Sequence, residues 1–341
     1  MGPRPAATTI FGAITMPCWI GAGDENGDAV PTSVAAALPP DRSRGIIQEE
    51  HIVAEPVTLT VDDQPVTVPA GSTLLGAITH LGIDTPTLCY DPALTPVNVC
   101  RVCVVELEGA RVLAPACSRQ AEPGMVVRTD TPRVRQARRL VLELLQSSVD
   151  TTQAPDLLRY AARYGAMPDR LATGATMAQP VRINDNRLYV RDYARCILCY
   201  KCVEACGHDL QKTFALTVAG RGFSAHIDTG FDVPLGDSPC VYCGNCVAVC
   251  PTNALQGRAE YDLRMAGAWD EPNQRQVDTI CPYCGVGCQL RLHVQENRIV
   301  KVSSPREHPV THGFLCVKGR FGYEFMHGGS KRRRAGSNGT E

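Results

Sequence analysis

From Pro56 the chain alternates between apolar and polar positions. Val57-Thr-Leu-Thr-Val61 runs into an Asp62-Asp-Gln turn and resumes as Val66-Thr-Val68, which predicts a β-hairpin. Ser72 or Thr73 then stands where a helix cap belongs, and Leu74, Leu75, Ala77, Ile78 and Leu81 follow at helical spacing. Val104 to Leu107 predicts a further strand. Thr131-Pro132 opens a second helix with apolar positions Val134, Ala137, Leu140, Val141, Leu144 and Leu145, and Leu157 to Tyr164 forms a third. Phe214 to Ile227 predicts two short strands about Gly220-Arg-Gly222, fitting a module of βαβ type. Leu290 to Val294 and Ile299 to Val302 alternate again. Residues 1–50 hold no period and read as a disordered extension, 167–180 as linker, and the basic run after Phe325 as a solvated tail.

Composition changes this picture in one respect. The 341 residues include 30 glycines, 25 prolines and only 6% aromatics, which disfavours one large apolar core, but they include 17 cysteines. Sixteen of these fall into four sets of four; Cys18 stands apart as an odd thiol. The net charge of −1 gives no reason to expect nucleic acid or an anionic membrane as partner. No apolar run is long enough to span a bilayer. Pro17 and Trp19 interrupt the apolar stretch near the start, so no export signal is expected and the predicted location is cytoplasmic.

Two of the sets repeat one pattern, C-x2-C-x2-C-x3-C, at Cys196, Cys199, Cys202 and Cys206 and again at Cys240, Cys243, Cys246 and Cys250. Three cysteines three apart can wrap a loop round three corners of a [4Fe-4S] cube, and the fourth leaves on a short helix. Zinc is the alternative for C-x2-C pairs, but a triplet would leave a surplus thiolate beside each tetrahedral ion. A third set, Cys89, Cys100, Cys103 and Cys117, follows the hairpin and first helix, the element order of a β-grasp [2Fe-2S] domain. One C-x2-C with two distant cysteines is also compatible with zinc. The fourth set is Cys281, Cys284, Cys288 and Cys316, and glycines 285 and 287 would let backbone approach a cluster. His208 is surplus to any of these sets, and His308 and His312 lie in a Pro-rich loop unsuited to clamping a metal.

The paired runs resemble bacterial two-cluster ferredoxins. That resemblance assigns Cys196, Cys199, Cys202 and Cys250 to one [4Fe-4S] cluster and Cys240, Cys243, Cys246 and Cys206 to the other, although Gly207 replaces the usual proline after the fourth cysteine. The third set is similar to the N-terminal domain of the large iron–sulfur subunit of complex I and of NAD-dependent formate dehydrogenases. Those families carry a further cluster segment with one histidine and three cysteines, and nothing between Leu145 and Asp192 supplies it. Cys281-Pro-Tyr-Cys284-Gly-Val-Gly-Cys288 and Cys316-Val-Lys-Gly-Arg-Phe-Gly322 resemble the N-terminal cluster domain of molybdenum or tungsten bis-pterin oxidoreductases, formate dehydrogenase above all. By that resemblance Lys318 lies between cluster and pterin.

The expected class is therefore α+β. Residues 1–55 form an extension, 56–132 a [2Fe-2S] β-grasp domain, 133–186 a helical linker and 187–262 a two-cluster [4Fe-4S] module. Residues 274–327 form a small β-rich [4Fe-4S] domain, and 328–341 a tail. The resemblance implies one [2Fe-2S] and three [4Fe-4S] clusters, and the electron-conducting part of a formate dehydrogenase α subunit. Its partners would be a flavin/NAD diaphorase-type subunit and a molybdopterin catalytic subunit or domain, the several hundred residues needed to enclose a pterin being absent from this sequence. No G-x-G-x-x-G fingerprint occurs, so nicotinamide chemistry would belong to a partner. A stand-alone electron carrier, a hydrogenase diaphorase subunit, and a zinc-binding structural protein are the alternatives.

Overall fold

A computed structural model describes residues 55–171 and 185–327. The expected extension with Cys18, residues 172–180 of the 167–180 linker and the basic tail lie outside the described residues. The first sheet starts with the predicted hairpin, β1 (Val57–Val61) and β2 (Gln64–Val68), closed by a two-residue turn in which Asp62 and Asp63 both take positive φ. The Asp62 carboxylate accepts the Thr129 amide at 2.8 Å, which secures the turn to the residue just after the strand that neighbours β1. Further strands β3 (Val104–Leu107), β4 (Ala114–Pro115) and β5 (Val126–Arg128) complete the order β2-β1-β5-β3-β4, parallel only between β1 and β5. Helix α1 (Leu74–His80), capped by the Thr73 hydroxyl accepting the Gly76 amide at 3.2 Å, lays Leu74, Leu75, Ala77 and Ile78 on this sheet.

Helix α2 (Pro132–Ser148) starts at the expected cap, Thr131, and turns Val134, Val141 and Leu145 inward as expected, but not the whole expected stripe. Leu140 and Leu144 are exposed, while Arg138 and Glu143 are buried beside Val134 and Leu142. Arg138 donates to the Tyr164 hydroxyl at 2.7 Å and to the Val104 carbonyl at 2.8 Å, and Glu143 pairs with Arg170. Two buried charges that need partners on α3 (Pro155–Tyr164), β3 and the following turn thus set the helix rotation against the apolar stripe.

The paired cysteine runs build α4 (Lys201–Cys206) and α5 (Asn245–Val249), which pack together. Beside them β6 (Tyr189–Arg191) pairs with β9 (Leu255–Gly257), and β7 (Thr217–Ala219) with β8 (His226–Asp228). Both pairs are antiparallel, so the parallel βαβ unit expected here is not formed: β7 and β8 close a local hairpin, and the outer pair joins the two ends of the module. Helix α6 (Arg258–Met265) leads into an antiparallel sheet of β10 (Arg275–Ile280), β11 (Gln289–Gln295) and β12 (Arg298–Ser303), followed by the short α7 (Val317–Phe321). No helix among the described residues is long and apolar enough to cross a membrane.

Arg138→Ala should cost about 2–4 kcal/mol, because it strands the buried Tyr164 hydroxyl and Val104 carbonyl. A lowered denaturant midpoint with an unchanged slope checks this; an unchanged midpoint would contradict the role assigned to Arg138.

Candidate metal centres

None of the sixteen described cysteines forms a disulfide. Strand pairing brings the second half of the Cys89 set together: Val104 lies opposite Pro115, so Cys103 just before β3 and Cys117 just after β4 become neighbours despite the residues between them. Both lie in the core of the first sheet, and Cys89 is buried as well. Cys100 reaches them from a loop curled by positive φ at Asn98 and Arg101. Hydrogen bonding from the Cys100 and Cys117 thiols holds Cys89 well below the usual thiol range, and Cys117 likewise holds Cys103 down. The four sulfurs therefore interact as one group.

In the paired runs each loop turns through positive φ at the second and fourth positions after its first cysteine, Leu198 and Tyr200 in one and Tyr242 and Gly244 in the other. The sulfurs are thereby directed inward, round two hollows. One is lined by Cys196, Cys199, Cys202 and Cys250; the other by Cys206, Cys240, Cys243 and Cys246. Each helix serves both: α4 carries Cys202 and Cys206 to different hollows, and α5 carries Cys246 to one and ends at Cys250 beside the other. Burial pushes the Cys196 and Cys199 thiols up to about 12, with the charge of Cys250 adding to it, and also raises Cys202 and Cys246 well above the usual thiol range. Four thiolates buried round one point need a positive group to neutralise them, as in a metal site.

The two hollows differ in their surroundings. Around the second, the Tyr189 hydroxyl lies 3.3 Å from the Cys240 sulfur and the Thr213 hydroxyl 3.4 Å from the Cys206 sulfur. Around the first, Thr252 is 3.9 Å from Cys250. His208 stacks edge-on against Phe214, with ring centres 4.9 Å apart, and lines neither hollow. Among the described residues no three Cys, His, Asp or Glu side chains close on a single metal ion. Each quartet is instead an all-sulfur donor set, which suits iron clusters.

The last set is more open. Cys281 is buried at the end of β10, where its amide donates to the Cys288 carbonyl at 2.8 Å, whereas Cys284 and Cys316 are exposed. Cys288 is raised by burial and then by the charges of Cys281, Cys284 and Cys316, which places all four in one neighbourhood. Gly287 takes a φ of +70°, a conformation that side-chain-bearing residues rarely adopt. Lys318 is exposed on α7.

Sequence reading missed Tyr189, Thr213 and Arg320. Arg320 was legible only as part of the word after Cys316, because its partners belong to another module. It is buried, and its Nε donates to the Cys243 carbonyl at 3.1 Å and its Nη2 to the Asn245 side-chain oxygen at 3.3 Å. Phe321 beside it stacks on Tyr189 at 5.9 Å.

Three family profiles match: a 2Fe-2S iron-sulfur cluster binding domain at residues 54–132, a 4Fe-4S dicluster domain at 175–254 and a molybdopterin oxidoreductase Fe4S4 domain at 274–328. The chain is 36% identical to a subunit of the NADH-quinone oxidoreductase of Rhizobium meliloti, over 82% of this chain and 32% of that one. It is 40% identical to the NADP-reducing hydrogenase subunit HndD of Solidesulfovibrio fructosivorans, over 66% of this chain and 40% of that one. A chain of the NAD+-reducing [NiFe]-hydrogenase in its H2-reduced state superposes with a TM-score of 0.53 at 26% identity, covering 60% of this chain and 88% of that one. Relatives whose names carry formate dehydrogenase match at 26% identity. The chain spans about a third of the length of the first curated relatives it matches. It thus carries iron–sulfur domains of the kind found at the N-terminus of molybdopterin oxidoreductases. These are related to an NADH-quinone oxidoreductase subunit and to NAD-reducing hydrogenase subunits, with formate dehydrogenase a distant relation.

Because Cys206 faces the hollow of the distant run, Cys206→Ala in anaerobically reconstituted protein should remove signal from the centre shared with Cys240, Cys243 and Cys246. The Cys196 centre should stay intact. Loss confined to the Cys196 centre, followed by EPR of the reduced protein, would overturn the exchange.

Proposed function

We propose that this chain is the electron-conducting iron–sulfur portion of a larger oxidoreductase, placed between a molybdopterin-type catalytic centre and a flavin/NAD subunit. The observation that carries this reading is the pair of hollows, each lined by four cysteines, with one cysteine of each run exchanged into the other's quartet. Cys196, Cys199, Cys202 and Cys250 would hold one [4Fe-4S] cluster, Cys240, Cys243, Cys246 and Cys206 a second, and Cys281, Cys284, Cys288 and Cys316 a third. Cys89, Cys100, Cys103 and Cys117 would hold a [2Fe-2S] cluster on a sheet and helix we read as a β-grasp. When bound, such clusters supply one-electron transfer.

The chain's own residues determine how that transfer is supported. Burial of Cys199, Cys202 and Cys246 keeps water from the sulfurs, and the Tyr189 and Thr213 hydroxyls face sulfurs of one site only, so the two sites would differ in potential. Lys318, exposed on α7, is the residue we assign to face a pterin. Formate is the substrate suggested by the sequence words around Cys281 and Cys316. A complex I-type or hydrogenase-type relay is the second reading, and the higher identity to those relatives favours it. The domain limits follow the cysteine sets, at 56–132, 187–262 and 274–327, with 133–186 as connector.

Anaerobic reconstitution should load up to about fourteen irons per chain, the sum for one [2Fe-2S] and three [4Fe-4S] clusters. Zinc in their place, with no cluster signal on reduction, would rule the proposal out. The loaded chain should not reduce a dye with formate, because four-thiolate centres leave no open coordination position for a substrate. Formate-dependent dye reduction without an added molybdenum or tungsten subunit would place the chemistry elsewhere.

A further inference from the structure

Arg320 is a cation with no task in the relay itself. Its side chain is buried, and no carboxylate among the described residues lies within ion-pairing distance. Its hydrogen bonds go to neutral oxygens, the Cys243 carbonyl at 3.1 Å and the Asn245 amide at 3.3 Å, so they satisfy donors without balancing charge. A buried guanidinium without a counter-charge costs several kcal/mol, enough to be eliminated unless an anion stands near. The neighbouring cation, Arg306, is paired bidentately with Asp91 at 2.9 and 3.2 Å. The anions that bear on Arg320 are the thiols of Cys243 and Cys246, beside the Cys243 carbonyl it bonds, and of Cys316, whose carbonyl accepts its amide.

The surrounding structure holds it there. The Arg320 amide donates to the Cys316 carbonyl at 3.0 Å, fixing the residue one helical turn from a cysteine of the last set. Asn245 accepts the Leu315 amide at 3.3 Å with the same oxygen that accepts Arg320, locking α7 onto the start of α5. Gly244, at φ +70°, leaves the space that Arg320 and Phe321 fill; a Cβ there would lie 2.5 Å from the Arg320 Cδ. Two cysteine quartets from different modules thus share one immobilised positive charge.

Resting on the assignment of clusters to these quartets, we infer that Arg320 is the common counter-cation of the Cys206/Cys240/Cys243/Cys246 centre and the Cys281/Cys284/Cys288/Cys316 centre, and that it raises the reduction potential of both. Each one-electron reduction, with dithionite as the electron donor, adds one negative charge to a centre and takes up no other group. A fixed guanidinium stabilises that added charge at either place.

EPR-monitored redox titration of the reconstituted full chain, with dithionite and mediators, tests this. Centres are identified by comparison with Cys206→Ala and Cys284→Ala. In Arg320→Gln the equilibrium constant for one-electron reduction should fall about tenfold at both centres, about 59 mV for a one-electron couple. The [2Fe-2S] signal should stay at its wild-type potential. Arg320→Lys, which keeps the charge, should hold both potentials near wild type. Intact signals with unmoved potentials in Arg320→Gln would overturn the inference, as would equal loss of the centres in the Gln and Lys variants, which marks a purely structural role. Loss in the Gln variant with retention in the Lys variant supports it. Absence of cluster signals from the wild-type chain would instead count against the cluster assignment itself.

Discussion

Burying four thiolates around one point is unfavourable unless positive charge arrives with them, and this condition governs the middle of the molecule. Two short helices, α4 and α5, each deliver cysteines to both hollows, so neither quartet is complete without the other run. Metal binding and folding are coupled in such an arrangement, since the apolar residues around the sulfurs are few and the thiols resist ionisation on their own. Tyr189, Tyr193, Leu216, Ile227 and Leu255 pack round the sulfurs and form the module's small core. They exclude water from the sulfurs, and the cysteines in turn are part of that core.

The other modules meet this centre through polar contacts. Asp91, from the loop between α1 and β3, grips Arg306 of the last module, while Asp209 of the central module accepts the Thr95 amide at 2.6 Å and its hydroxyl at 3.0 Å. Asn253 donates to the Gln153 carbonyl at 2.8 Å, and Lys301 of β12 pairs with the buried Glu260 of α6 at 2.9 Å. Contacts of this kind fix orientation, which electron transfer demands because its rate depends on the spacing of the centres. The first sheet has an apolar core of its own around α1, whereas the last module has a smaller one around Leu290, Ile299, Val302 and Leu315.

Local chemistry was legible in the sequence wherever it was written in neighbouring residues. The Asp62-Asp63 turn, the Thr73 and Thr131 caps and the cysteine spacings all act over a few positions and survive into the fold. The face of α2 was only partly legible, because Arg138 and Glu143 find partners on elements far along the chain and override the stripe of Leu140 and Leu144. β10 escaped notice because all six of its residues are exposed, so no alternation marks it. α6 was missed because its buried side chains are Glu260 and Tyr261 rather than a repeating apolar face. Arg320 looked like part of a surface word next to Lys318; only the docking of α7 against Gly244 and Asn245 buries it.

The central claim is that these quartets hold polynuclear iron rather than single ions. Mössbauer spectroscopy of the chain reconstituted with 57Fe addresses it most directly, since it counts iron by cluster type. The account predicts that nearly all iron falls into [4Fe-4S] and [2Fe-2S] components in a ratio of about six to one. Iron found mainly as mononuclear tetrathiolate sites would contradict it.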